Sequence, residues 1–154
     1  MQRVWIYQSN RFFEAEEVQK IEQILEEFVQ QWTAHGSQLA GSYEIRYSLF
    51  IILKVDEEKA MVTGCSIDKS VHLLKKIEQE LGISLFDRLQ LAYRRETNAP
   101  IQVVSQENFR ELLATDEIDH DRVVVFNNMI TSVQELDMKW EVPMKYSWHG
   151  KVFL

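Results

Sequence analysis

The chain has 154 residues, 45% of them hydrophobic and 27% charged, enough for one core that buries roughly 70% of the unfolded surface. Seventeen Lys and Arg against 24 Asp and Glu leave a net charge of −7, which works against a partner held through its phosphate backbone, so nucleic acid is not expected. No apolar run approaches 18 residues and "MQRVWIYQSN" lacks the apolar core of a leader, so a soluble, cytoplasmic protein with no membrane partner is expected.

In chain order, "VWIY" (4–7) is β-branched and aromatic and reads as a first strand. Val18, Ile21, Leu25, Phe28 and Trp32 then recur every three or four residues behind Glu14, Glu16 and Glu17, the pattern of an amphipathic helix with acids at its positive end. It should end near His35, with Gly36 as its left-handed cap. Tyr43 to Val55 reads as one long central strand, "DEEK" (56–59) as a turn, and Ala60 to Thr63 as its hairpin partner. A second helix is expected from about Ser66, with Ile67, Val71, Leu74, Ile77 or Glu78, and Leu81 on its buried stripe and Gly82 at its end.

"LQLAYR" (89–94) and "IQVV" (101–104) form a second expected hairpin, Ser105 opens a short third helix, and 123–126 is a buried strand. From Trp140 onward the tail is aromatic, with weak periodicity. The fold expected is α+β: a single domain over 1–154 with a mainly antiparallel sheet, β-α-β-β-α-β (ferredoxin-like split) order in residues 3–94, and extra strands and a short helix extending that sheet.

"TGCSIDKS" (63–70) holds the only cysteine, at a strand-to-helix turn. A lone cysteine forms no internal disulfide, so Cys65 is a free thiol suited to a reducing compartment. A helix start stabilises a thiolate, which makes Cys65 a candidate nucleophile, with His149 or His35 as base and Asp68 or Asn127 as orienting group. Asp68 stands where a C-x-x-C pair needs its second thiol, and Val71 where a C-x5-R loop needs arginine. The plainer alternative is a small buried residue at a turn, with Asp68 capping the helix.

The same helix start suits a small anion, for which Ser66, Lys69 and Ser70 would add donors. Arg46, Arg88, Asn127 and Asn128 are further polar groups expected near a shared cleft. His35 suits a helix end, His72 the border of the second helix, and His120 a solvated acidic loop; no metal-ligand spacing and no cofactor motif occurs. Gly36 and Gly41 have phosphate-loop spacing, but Ser42 and Tyr43 follow where Lys and then Ser or Thr are required.

The segments "VWIYQSNR", "WTAHG", "FIILKVDE", "GCSIDKSVHLLKKIE", "LFDR", "VFNN" and "SWHG" resemble a family of small uncharacterised bacterial proteins of about this length, over essentially the full chain. Some members carry the label "ABC transporter ATPase", which would need a phosphate loop and signature glycines that these residues lack. Three readings follow: a small-anion binding or regulatory module at Cys65 and Ser66, a thiol-dependent enzyme, or an interaction protein whose aromatic tail (Trp140, Tyr146, Trp148, Phe153) covers a partner or a second copy in a homodimer.

Overall fold

The computed structural model describes residues 2–154 and is an α+β protein built on antiparallel sheets. Its contacts divide into two compact units: the chain up to Phe86 with Thr131–Val133, and Asp87–Ile130 with Gln134–Leu154.

In the first unit, β1 (Gln2–Gln8) is followed by α1 (Ala15–Gln31), a two-residue hairpin of β2 (Thr33–Ala34) and β3 (Ser37–Gln38), then β4 (Ala40–Arg46), β5 (Phe50–Asp56) and α2 (Gly64–Leu81). The sheet order is β1-β5-β4, antiparallel throughout. Register aligns Trp5, Leu53 and Tyr43 across the sheet, and next to them Tyr7, Ile51 and Ile45. Side chains two apart share a face. These six residues pack with Ile21 and Leu25 of α1 and Leu74 and Ile77 of α2, so both helices cover one face.

Two segments depart from the expected elements. Tyr43 to Val55 is a hairpin, not one strand: Tyr47 and Ser48 take φ values of 58° and 51°, and Leu49 N donates to Arg46 O at 3.2 Å. Side chains resist this left-handed region, so nothing in their identity announces the turn. Ala60 to Thr63 is consequently no strand but the approach to α2; β4 and β5 are the middle pair of a β-α-β-β-α order interrupted by the β2–β3 hairpin, and the last expected strand of the split pattern, 89–94, belongs to the second unit's sheet. Gly36 does not cap α1, which ends at Gln31; His35 and Gly36, at φ 51° and 78°, form the turn between β2 and β3.

Because Ser48 is exposed, Ser48→Gly should relieve its left-handed strain and stabilise the protein by about 0.5–1 kcal/mol. Urea denaturation would show this as a raised midpoint at unchanged slope; a lowered midpoint would contradict it.

The second unit carries its own sheet. β6 (Gln90–Arg94), β7 (Gln102–Ser105), β8 (Val124–Phe126) and β9 (Glu141–Pro143) pair in the order β7-β6-β8-β9, so these strands do not extend the first sheet. The hairpin of β6 and β7 and the helix α3 (Gln106–Leu113), capped by Ser105 Oγ accepting from Asn108 N, fall where the sequence put them. α4 (Val133–Lys139) precedes β9. The aromatic tail is ordered as a 3₁₀ turn at Met144–Tyr146 and α5 (Trp148–Phe153). Leu91, Tyr93, Phe109, Val125 and Met144 form this unit's core, and Phe153 packs edge-on against Phe109 at 5.1 Å.

Among the described residues no helix is long and apolar enough to cross a membrane.

Candidate functional site

The α2 start is capped by Thr63, with Ser66 reciprocating, and not by Asp68. Thr63 is extended at φ −122° and its Oγ1 accepts from Ser66 N at 3.2 Å, while Thr63 N donates to Ser66 Oγ at 2.7 Å. This reciprocal cap settles two donors at once. The Ser66 hydroxyl also donates to Thr63 O at 2.8 Å and the residue is fully buried, so it is not available to a ligand. Ser70 is buried too, its Oγ donating to Ile67 O at 2.6 Å.

These two small residues replace Ile67 and Val71 on the inward stripe, which lets the first turns of α2 come close to bulky neighbours. Trp32, 1% exposed, donates from its indole Nε1 to Ser66 O at 2.8 Å. Cys65 is therefore displaced outward: it is exposed, not a buried turn residue. Asp68 and Lys69 are exposed as well.

The other candidates hold ordinary structural posts. His35 is exposed in its turn. Arg46 pairs with Glu44, its Nε donating to Oε1 at 2.8 Å, and Lys54 joins the same carboxylate at 3.0 Å. These cations outweigh the effect of desolvation and hold the Glu44 carboxyl below its usual range. Arg88 is exposed and its carbonyl accepts from Gln106 Nε2 at 3.0 Å. Asn127 Oδ1 accepts from Met129 N, and Asn128 Oδ1 accepts from the Trp140 indole at 2.9 Å, so both organise a turn. His120 Nε2 lies 2.7 Å from Leu113 O at the end of α3, and among the described residues no group of His, Cys, Asp and Glu is arranged to hold a metal ion.

His149 belongs to the second unit. The residue is 1% exposed, its Nδ1 lies 2.7 Å from Ser147 Oγ, and its ring stacks on Trp148 at 3.8 Å. Burial pushes its pKa down to about 4, so the ring is neutral at pH 7. Gly150 lets this turn close, since a Cβ there would stand 2.9 Å from Met144 O.

What the first unit does assemble is a cationic groove of about 520 Å³ beside α2, lined by Lys69, His72, Lys75 and Lys76. Phe28 of α1 and Leu73 supply apolar lining, and Gln79 lines it as well. Lys69, His72 or Leu73, and Lys76 stand three, four and seven residues apart, which is one face of a helix. Among the described residues no carboxylate lines it. Lys69 was visible as a ligand candidate from its place near the helix start and His72 read as the border of α2; Lys75 and Lys76 were not singled out, because Phe28 joins them only through the packing of α1.

The site thus defines an α+β protein with a lysine-lined groove and an exposed thiol at the start of the same helix. No family model, curated protein or solved structure matches the chain.

Proposed function

We propose that this protein is a binding module for a small anion carrying an apolar or planar part, held in the groove beside α2. One observation carries this: three lysines and a histidine line a groove together with Phe28, Leu73 and Gln79, with no acid among the lining residues. A groove lined by lysines and by no carboxylate attracts an anion, and its apolar lining gives the anion's uncharged part a surface to cover. The groove replaces Ser66 as the contact region and keeps Lys69. An exposed free thiol on the same helix suits a reducing, cytoplasmic setting.

Calorimetry against phosphate, pyrophosphate, citrate and mononucleotides tests the proposal. At least one should bind, more weakly as salt rises. Lys69→Ala combined with Lys76→Ala should reduce that affinity about tenfold, ~1.4 kcal/mol, at unchanged melting temperature. No binding at millimolar concentration by any of the panel, or binding indifferent to both lysines, would overturn it.

A further inference from the structure

We infer that the first unit also docks an extended, lysine- or arginine-rich peptide segment, which adds a strand to β4 beneath the acidic flank of α1. β4 is the edge strand of its sheet and pairs with β5 along one side. A strand edge presents a row of backbone N–H and C=O groups to any chain laid alongside it. At seven residues, β4 could pair with an added strand of ~23 Å.

The groove at this edge has a volume of about 530 Å³ and is walled by α1 and by Tyr43 of β4. Glu22, Glu26 and Glu27 line it together with Gln19, Gln23 and Gln30, and among the described residues no cation does. All three glutamates are exposed. Tyr43 hydrogen-bonds to Glu26, which ties the strand to the helix flank; its phenol is raised above its usual pKa by burial and then by Glu26. Backbone pairing thus supplies a generic attraction for a strand, and the carboxylates decide which strand.

Charge also decides against a second copy. Pairing β4 with β4 of another chain about a two-fold axis would set two flanks bearing Glu22, Glu26 and Glu27 side by side, where like charges repel. A basic segment meets the opposite condition. Its alternate side chains would face Glu22, Glu26 and Glu27, while its backbone completes the ladder of β4.

The test uses the full chain and a fluorescent peptide of about eight residues alternating lysine with threonine or valine, sized to the strand. Anisotropy should show saturable binding, and a peptide with glutamate in place of lysine should not bind. The combined Glu22→Gln, Glu26→Gln and Glu27→Gln variant should bind at least fivefold more weakly while melting as the parent does. Alternate N-methylation of the peptide removes donors from one of its two edges. Methylation in one phase should abolish binding and in the other leave it intact, because only one edge can face β4. Equal effects of both phases would mean charge attraction without strand addition and would overturn the proposal. So would a dimer by sedimentation that the glutamine variant strengthens, since β4 would then belong to a second copy.

Discussion

The second unit should lose about 3 kcal/mol of stability as the pH falls from 7 to 4, and His149 should be the reason. Its pKa is about 4 in the folded protein against an ordinary value of 6.5, because burial penalises the charged ring. A group depressed in the folded state binds fewer protons there than in the unfolded chain. Its stabilising contribution is therefore complete above pH 6.5 and is lost as pH falls from 6.5 toward 4. About two and a half pH units at about 1.36 kcal/mol each set the size. The hydroxyl of Ser147 can donate to a neutral ring or accept from it, whereas a protonated ring only donates, so the 2.7 Å contact offers no full compensation for the charge.

The pH window separates this from the carboxylates. Hydrogen bonds from Arg11 hold the Glu17 carboxyl at about 2, from an ordinary 4.5, so its contribution begins to fall only below pH 4.5. Urea titrations at intervals between pH 7 and 4.5 should show stability falling by about 2 kcal/mol. His149→Phe keeps an aromatic ring beside Trp148 and should flatten that slope, whatever it does to stability at pH 7. A ring resonance titrating near 6.5 in the native protein would sink the prediction, as would an unchanged slope in the variant.

The contrast between the elements read correctly from sequence and those misread has a physical source. The body of α1 and the end of α2 were legible because Ile21 and Leu25, and then Leu74, Ile77 and Gly82, follow helical geometry without help from the rest of the chain. The β4–β5 turn was not, since Tyr47 and Ser48 are poor left-handed residues and the hairpin is imposed by the fold: Ser48 O accepts from Phe13 N at 2.7 Å and Leu49 O from Ser9 N at 2.9 Å. Ser66 and Ser70 read as donors for an anion because hydroxyls at a helix start are usually accessible; here each is buried and satisfied by a carbonyl three residues earlier.

The candidate site shows the same division. Thiol, lysine and helix start were legible, since they lie within a few residues of one another. The groove was not, because its apolar wall comes from Phe28, 41 positions before Lys69, and periodicity carries no information about which helix lies beside which.

Trp32→Ala should cost the first unit about 3–5 kcal/mol, the range for removing a large buried aromatic. The indole is 1% exposed, lies 6.0 Å from the Trp5 ring and 5.0 Å from that of Phe28, and reaches within 3.0 Å of where a Cβ on Gly41 would stand. Trp32→Phe isolates one part of this loss: most of the ring volume stays, but Ser66 O loses its donor at the first turn of α2, for about 1–3 kcal/mol. Because Phe28 packs on Trp32 and also walls the cationic groove, the alanine variant should weaken anion binding even at temperatures where it remains folded, and the phenylalanine variant should do so less. Denaturation and calorimetry on the same two variants separate the effects. Equal costs for both would mean the ring volume counts for little, and full anion affinity in folded Trp32→Ala would detach the groove from this anchor.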